Sequence, residues 1–308
     1  MILAPIAIFS YNRPQHLQQV LDALARNRLA DQSDLFIYCD GAKTNATDEQ
    51  KLMVAQNRAV AHAASGFKTV TVIERERNYG LADNIIGATT EIINKYGRII
   101  TLEDDVVTSP GFLQYMNDAL EMYKDDERVM HITAFMWRYN GCLPTTFFYT
   151  VPECGGGWAT WKRAWDHFSY DVEEAYNYWK NDWTRFNIWG GNYMQKQLED
   201  NYNGTLKTWF IRWYAVVRGM NGLTLYPNKP LTTNIGFDGS GSNCFATESN
   251  PFAWTQLAES ISVERVPIKE NNWARYQIYC AQRGHFYSKR NRKHILSYFN
   301  ELRKHMRA

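Results

Sequence analysis

Three adjacent carboxylates end an apolar run in the stretch RIITLEDDVVTSPGF, residues 98–112. Glu103, Asp104 and Asp105 repel one another at short range, so a neighbouring group must neutralise them. A hard divalent cation does this with oxygen ligands, and one or two carboxylates plus substrate phosphates often complete its site. The alternative is a solvated acidic turn, or a favourable negative charge at the start of the helix that follows Pro110.

The elements around these acids decide between the two interpretations. The sequence alternates strand and helix, which is typical of βαβ units and a mainly parallel sheet. Strands are predicted at 6–10, 34–39, 68–74 and 99–102, and helices from 14, from a capping box at 47–50, over 81–96, and from 109–110 to about 123. Ligands of such sheets bind beyond the carboxyl ends of the strands. The acids follow the fourth strand, which favours the cation site.

Polar residues also follow the other predicted strands. They are Ser10, Tyr11, Asn12 and Arg13 after the first strand, Asp40 after the second, and Asn78, Tyr79 and Gly80 after the third. Arg13 precedes a helix start, where a phosphate or a base would meet it. Asp40 is placed to accept a hydrogen bond from a base or a ribose. For each of these two residues, a helix cap or a salt bridge is the alternative role.

Composition excludes several classes of protein. The 308 residues carry a net charge of +2, so no strong overall field selects a partner. The chain has neither G-x-G-x-x-G after the first strand nor a P-loop motif, which removes the main support for dinucleotide and P-loop binding. Five scattered cysteines without C-x-x-C argue against a disulfide framework or a zinc site, and for a reducing compartment.

The segments of the chain differ in character. The N-terminal run lacks a basic region and is interpreted as a first strand rather than a signal peptide, and no stretch approaches the ~18 apolar residues of a membrane span. A cytoplasmic location is expected. We divide the chain into a first half at 1–125 that carries the polar strand ends, a second half of the same domain at 126–250, and a helical, basic extension at 251–308. Residues 227–243, PNKPLTTNIGFDGSGSN, are predicted to be loop throughout.

The basic tail at 283–307 has eight Lys or Arg and one Glu. A contact with the anionic inner membrane surface is one interpretation. A solvated helix face is the other.

Six segments carry a resemblance to known enzymes. They are PIAIFSYNRPQHLQQVLDAL, IYCDGAK, RNYGLADNIIGATTEII, IITLEDDVVTSPGFLQYMNDAL, GGGWATWKRAW and NIGFDGSGSN. In order and spacing they resemble the GT-A nucleotide-sugar glycosyltransferases, with the layout of glycosyltransferase family 2. The EDD before a Pro-x-Phe helix is similar to the N-acetylglucosaminyltransferase I group. The segments GGGWATWKRAW and NIGFDGSGSN resemble a bacterial branch of such enzymes, found in surface-polysaccharide clusters and sometimes labelled hemolytic-protein-like. The resemblance covers roughly residues 4 to 245.

This resemblance implies a fold and an activity. The fold is GT-A: a Rossmann-like, mainly parallel central sheet flanked by helices, with an elaborated acceptor-side C-terminal half. The activity is a metal-dependent glycosyl transfer from a nucleotide-diphospho-sugar, with UDP as the usual nucleotide. The acceptor is a hydroxyl of a glycan or lipid-linked saccharide in bacterial surface polysaccharide synthesis, and inversion at the anomeric carbon is expected.

The resemblance also implies roles for matching residues. Arg13 and Asp40 contact the base, Asp104 approaches the ribose, and Asp105 ligates Mn²⁺ or Mg²⁺ on the donor diphosphate beside Glu103. Three residues line the donor cleft: Asn78, Gly80 and Asn84.

The acceptor side is implied less completely. The glycines 155–157 and Trp158 form the floor for donor sugar and acceptor, where Trp158 would stack on a sugar; core packing is its alternative role.

The catalytic base is the least determined residue. The related enzymes carry an acid pair between tryptophans, but this chain has no acid in the segment WFIRW, 209–213. Asp238, Glu153 and Asp200 are the candidates. Asp238 is preferred, with the capping of a Gly-rich turn as its alternative role. Relatives often place His where this chain has Asn243, so a third protein ligand to the metal is in doubt.

Two other functions use some of the same features. A sugar nucleotidyltransferase would share the acids and the metal, but it usually needs a Gly-rich, Lys-bearing loop where this chain has SYNRP. A non-catalytic carbohydrate-binding protein would explain eleven Trp and nineteen Tyr without a diphosphate site.

Overall fold

The structure is a computed structural model that describes residues 2–139, 141–188, 191–240 and 256–282. Within these ranges the strands form one eight-stranded sheet and one two-stranded ribbon. The strands are β1 Ile6–Ser10, β2 Asp34–Cys39, β3 Thr69–Glu74, β4 Arg98–Glu103, β5 Val106–Thr108, β6 Val129–Thr133, β7 Thr146–Tyr149, β8 Trp158–Trp161, β9 Leu223–Pro227 and β10 Thr232–Asn234. The helices are α1 Pro14–Ala25, α2 Asp48–His62, α3 Leu81–Tyr96, α4 Phe112–Met122, α5 Lys162–Trp165, α6 Val172–Trp179, α7 Trp183–Phe186, α8 Tyr193–Tyr202, α9 Phe210–Gly219 and α10 Asn272–Gln282.

The large sheet has the strand order β3-β2-β1-β4-β8-β6-β9-β7. Strands β1 to β4 pair in parallel, and β6 and β9 run in the same direction as these four. Strands β8 and β7 run in the opposite direction. The predicted fold class, α/β with a mainly parallel sheet flanked by helices, is confirmed. Both predicted halves of the chain contribute strands to this one sheet.

The central strand β1 is buried on both faces, which explains its continuous apolar sequence. Successive side chains of a strand point to opposite faces. Ile6 and Ile8 accordingly pack in the core beneath α1 and α4, whereas Ala7 and Phe9 pack with the buried side of α3. The carboxyl end of β1 is thereby fixed between two helical layers, and the segment after Ser10 emerges at the sheet edge.

Most predicted boundaries agree with the structure, with two instructive exceptions. The capping box at Thr47 and Gln50 is present at the start of α2. The helix predicted from 109–110 begins only at Phe112, because the N–H of Gly111 donates to the carbonyl of Glu259 (2.9 Å) and the turn packs against that segment. The loop prediction for 227–243 is wrong at β10, which pairs antiparallel with β5.

The described part of the C-terminal extension covers the edge of the sheet. Residues 264–271 run beside β7, where the Thr146 hydroxyl donates to the carbonyl of Glu264 (3.4 Å), the N–H of Asn271 donates to the carbonyl of Phe148 (2.9 Å), and Phe148 forms a parallel bridge with Glu270. Helix α10 follows and packs on β7. Within the described ranges, no helix has the length and apolar character needed to cross a membrane. The basic tail at 283–307 lies outside the described residues.

Candidate functional site

Glu103 ends β4, and Asp104 and Asp105 form the turn to β5, beside the start of α1. Parallel pairing of β1 with β4 sets Phe9 opposite Glu103, so the segments that follow the two strands meet. There the Arg13 guanidinium forms ion pairs with both Asp104 and Asp105, the second at 3.0 Å. The N–H of Tyr11 also points at the Asp104 carboxylate (3.4 Å). We call Arg13 and the three acids the acid cluster.

The acid cluster has an excess of negative charge. With all groups ionised, three carboxylates and one guanidinium sum to −2. Burial raises the pKa of Asp104 to about 6, although Arg13 opposes the shift. Burial, with the charges of Asp105 and Asp104, also raises the pKa of Glu103. Burial alone would lower the pKa of Arg13, but its attraction to the two Asp residues outweighs this effect and raises it. One divalent cation would balance the charge.

The donor atoms suit a hard cation that is shared with a substrate. Among the described residues, no three Asp, Glu, His or Cys side chains are arranged to hold a metal ion by themselves. Asp105 and Asp104 offer oxygen ligands only, and a diphosphate can supply others. The Nη1 atom of Arg13 is buried without a hydrogen-bond partner among the described residues, next to the same carboxylates. The acids therefore fit Mn²⁺ or Mg²⁺ completed by substrate oxygens.

The β5–β10 ribbon brings a second segment onto the acid cluster. The N–H of Ile235 donates to the carbonyl of Asp105 (2.8 Å), and the amide of Asn234 donates to its carboxylate (3.1 Å). A side chain at Gly236 would collide with Asp105 Oδ2, so only glycine fits there. These contacts with Asp105 were not predicted from the sequence. The available signal was the Asn-Ile-Gly directly after a Thr-rich stretch.

Asp238 is held in this same segment by its own contacts. Its carboxylate accepts hydrogen bonds from Ser240 through the backbone N–H (2.9 Å) and the hydroxyl (2.6 Å), and it lies 3.1 Å from Nε2 of His16 on α1. The bonds from Ser240 lower the pKa of Asp238. A carboxylate with a lowered pKa is a weaker proton acceptor at neutral pH. The geometry therefore disfavours the predicted preference for Asp238 as the base.

Glu153 lies on a different segment of the same sheet edge. Strand β8 runs antiparallel to β4, so the residues before Trp158 lie at the carboxyl end of β4. A side chain at Gly157 would meet Leu102, the neighbour of Glu103. The Glu153 carboxylate accepts a hydrogen bond from the N–H of Gly155 (2.9 Å), and burial raises its pKa. A raised pKa suits a general base.

Asp200, the third candidate base, is not brought to this edge. Both of its oxygens contact Lys196 one turn earlier on α8, at 3.1 and 2.8 Å. Helix α8 packs against α6, α7 and α9. No contact of the described residues joins Asp200 to the acid cluster, which argues against its predicted role.

Asp40 has a saturated carboxylate. It accepts hydrogen bonds from the N–H groups of Gly41 (2.9 Å), Tyr79 (2.8 Å) and Gly80 (2.9 Å), and from the side-chain amide of Asn78 (3.1 Å). A carboxylate offers about four acceptor positions. Asp40 therefore ties the loop after β3 to the end of β2, and its contact with a base stays a prediction.

Other predicted ligands form supporting contacts. The Ser10 hydroxyl accepts from the buried Asn57 amide (2.9 Å), and Asn84 accepts from Arg75 (3.1 Å). Ser10 and Asn84 are both buried, which favours a role in holding the loops. Asn12 is partly exposed beside Arg13.

Trp158 is not available as a sugar platform. Its side chain is 1% exposed and stacks against Trp209 (5.0 Å between ring centroids) and His131 (5.5 Å). The stacking role predicted for Trp158 is therefore wrong, because β8 lies between β4 and β6 and is buried on both faces. The alternative role, core packing, is the one that the structure has.

His131 was missed by the sequence analysis and supports Glu153. Its Nδ1 accepts from the indole N–H of Trp213 (3.0 Å), and its Nε2 then donates to the carbonyl of Glu153 (3.0 Å). Complete burial lowers the pKa of His131 to about 4. The signal was a lone histidine within the apolar run VMHIT. Asn243, by contrast, lies outside the described residues.

Comparison with known proteins gives one family match. The model of the GNT-I family matches residues 1–189, which include the acid cluster and Glu153. An alpha-1,3-mannosyl-glycoprotein 2-beta-N-acetylglucosaminyltransferase from Arabidopsis thaliana is 26% identical over 218 residues, which are 66% of this chain and 47% of that protein. The chain thus spans about half the length of this curated relative.

Solved structures are similar over part of their length. The galactosyltransferase LgtC, in complex with donor and acceptor sugar analogs, is 10% identical with a TM-score of 0.38, covering 72% of each chain. The mannosyltransferase PcManGT from Pyrobaculum calidifontis, with GDP-Man and Mn²⁺, is 12% identical with a TM-score of 0.34, covering 53% of this chain and 46% of that one. S. aureus TarS with UDP-GlcNAc is 15% identical with a TM-score of 0.31, covering 47% and 38%.

Proposed function

The chain belongs to the GNT-I family, and from this premise we propose that it is a divalent-cation-dependent glycosyltransferase. It moves a sugar from a nucleotide-diphospho-sugar to a hydroxyl of a glycan or lipid-linked acceptor. The observation that carries the proposal is the acid cluster. Its formal charge of −2 with all groups ionised and its position at the carboxyl ends of β1 and β4 suit a cation bridging to a diphosphate.

Asp105 and Asp104 are the residues that would hold the cation. When bound, Mn²⁺ or Mg²⁺ would supply Lewis-acid stabilisation of the departing diphosphate. The chain positions Asp105 for this task through Asn234, Ile235 and the close approach of Gly236. Arg13, the neighbouring cation, is the residue proposed to meet the donor nucleotide.

Glu153 is proposed as the general base of an inverting reaction. It takes the proton from the acceptor hydroxyl while that oxygen forms a bond to the anomeric carbon. The bond between this carbon and the diphosphate oxygen breaks, and the diphosphate departs on the opposite face. The raised pKa of Glu153 supports this role over Asp238, and so does its position in the segment that precedes β8, at the carboxyl end of β4. A positioned base typically contributes about 10²–10⁴-fold.

The donor and acceptor are proposed from the relative's name. A protein called an alpha-1,3-mannosyl-glycoprotein 2-beta-N-acetylglucosaminyltransferase suggests N-acetylglucosamine as the sugar to try first and a mannose-containing glycan as the acceptor. We propose UDP as the nucleotide and surface polysaccharide synthesis as the setting, and a contact of the basic tail with the membrane surface belongs to the same proposal.

Calorimetric titration of the full chain tests the proposal first. UDP, GDP and CDP are each titrated with Mn²⁺, with Mg²⁺ and with EDTA. We expect one nucleotide to bind in the presence of the cation and to lose at least tenfold in affinity with EDTA. That nucleotide linked to N-acetylglucosamine is then incubated with mannose-terminated glycans, and transfer is read by mass spectrometry.

Other results of these experiments would replace the proposal. Binding of none of the nucleotides, together with glycan binding that ignores cations, would favour a carbohydrate-binding protein. Release of pyrophosphate from a nucleoside triphosphate and a sugar phosphate would favour a nucleotidyltransferase.

A further inference from the structure

Arg13 occupies an unusual electrostatic position within the acid cluster. Its Nη2 atom lies between the Asp104 and Asp105 carboxylates and contacts both, so the guanidinium sits where a cation shared by these two acids would also be attracted. Two positive groups cannot share these oxygens without repelling each other. Any cation that binds Asp105 must therefore compete with Arg13.

The remaining contacts of Arg13 show what holds it there. The side chain is 16% exposed, and Nη1 is buried with no hydrogen-bond partner among the described residues. Nη1 also lies close to Gly236, where an added Cβ would be 3.1 Å away. A buried N–H donor without a partner costs free energy, so Arg13 gains if new acceptor oxygens arrive. A guanidinium binds two oxygens of a phosphate group well.

We propose that Arg13 is an internal counter-cation that the divalent cation must displace from Asp105, and that this displacement makes cation binding depend on the donor nucleotide. Without nucleotide, Arg13 neutralises part of the acid cluster and the cation binds weakly. With nucleotide, diphosphate oxygens accept from the displaced guanidinium and complete the cation's ligands at the same time. This inference rests on the proposed function and names the order of binding at that site.

Binding of Mn²⁺ alone to Arg13→Gln tests the proposal without any assay of turnover. Removing the guanidinium leaves Asp105 without its competing cation. We expect the Kd for Mn²⁺ in the absence of nucleotide to fall at least tenfold. The ratio of the Mn²⁺ Kd values without and with UDP should shrink by a similar factor, because little remains to be displaced.

A matched control lies on the same strand as the acids. Arg98 is the first residue of β4, at the end of the strand opposite to Glu103, and pairs with Glu121 at 3.1 Å. Arg98→Gln should leave both Mn²⁺ affinities unchanged. As an independent measurement, Mn²⁺ should raise the Tm of Arg13→Gln by more than that of the wild type, because stabilisation by a ligand grows with the logarithm of its concentration divided by its Kd.

A second variant keeps the test decisive if Arg13→Gln does not fold. Arg13→Lys retains a charge, but it lacks the planar fork that contacts both carboxylates, so its Mn²⁺ affinity without nucleotide should rise about threefold. Unchanged or weaker Mn²⁺ binding in Arg13→Gln, or in Arg13→Lys where only that variant folds, would overturn the inference. If wild type binds UDP with Mn²⁺ and this result is still obtained, only the inference fails. If wild type shows no cation-dependent nucleotide binding, the proposed function fails and the nucleotide-dependent part of the inference fails with it, whereas the Mn²⁺ titration of the variant still decides whether Arg13 competes with the cation.

Discussion

Two buried carboxylates follow β2 and β4, the strands on either side of β1, yet their surroundings differ. Asp40, after β2, accepts four hydrogen bonds from neutral N–H groups. Asp105, after β4, shares one guanidinium with Asp104, and its charge adds to the burial that raises the pKa of the nearby Glu103. A saturated carboxylate fixes the backbone around it, whereas a carboxylate with unbalanced charge retains the capacity to bind a cation. Burial and residue type alone do not distinguish the two cases.

Among the variants that test this contrast, Asp105→Asn should have the largest effect on binding and transfer. The amide keeps the shape but removes the charge, so we expect cation-dependent nucleotide affinity to fall at least 100-fold, with a similar or larger loss of transfer. Calorimetry with UDP and Mn²⁺ measures the first. Asp126→Asn serves as control, since Asp126 pairs with Arg265 away from the site (2.8 Å). Binding retained by Asp105→Asn would refute the contrast with Asp40.

Glu153→Gln should lower transfer strongly while sparing the donor site. Loss of a positioned base predicts a fall in kcat of about 10²-fold or more, with UDP affinity within twofold of wild type. Asp238→Asn is the matched comparison, and its kcat should fall less than fivefold, because His16 and Ser240 already occupy that carboxylate. The reverse ranking of the two variants would restore Asp238 as the base.

Asp40→Asn should act on stability. An amide cannot accept all four hydrogen bonds, and its NH₂ group faces other donors, so we expect a loss of about 3 kcal/mol in the free energy of unfolding. Urea unfolding measures this loss. Asp48→Asn, on a fully exposed side chain at the start of α2, should leave the midpoint unchanged. Mn²⁺ binding without nucleotide should also be unchanged in Asp40→Asn, and its loss would place Asp40 among the cation ligands.

His131 predicts a smaller, pH-dependent effect. Its pKa is about 4 when folded and about 6.5 when unfolded, so the unfolded chain binds the proton first as the pH falls. The stability that the neutral ring contributes is present above pH 6.5 and is lost progressively towards pH 4. Between pH 7 and pH 5 this loss lowers the free energy of unfolding by about 2 kcal/mol.

The comparison of wild type with His131→Gln isolates this contribution, because the raised pKa values of Asp104 and Glu103 act in both proteins. The variant should be less stable at pH 7. Between pH 5 and pH 7 its free energy of unfolding should rise by about 2 kcal/mol less than that of the wild type. Equal slopes of unfolding free energy against pH in the two proteins would contradict the assignment of a neutral, buried His131.

The elements of the donor side were predictable because their signals are local. The buried run of β1, the capping box at Thr47 and the acids after β4 each follow from neighbouring residues. The resemblance to the N-acetylglucosaminyltransferase I group, drawn from these segments, agrees with the family match. Strand β10 was missed because three residues carry little strand signal, and their pairing partner β5 is more than a hundred residues earlier.

The α/β class, the order of the first elements and the acids at a strand end follow from the amino-acid sequence, since periodicity and spacing encode them. Which carboxylates are saturated and which share one guanidinium depends on the folded arrangement. This arrangement also turned Trp158 into the core and brought Asn234 and Gly236 onto Asp105. These outcomes depend on contacts between distant segments, and the strength of a charge or a hydrogen bond is set by the groups that surround it in space.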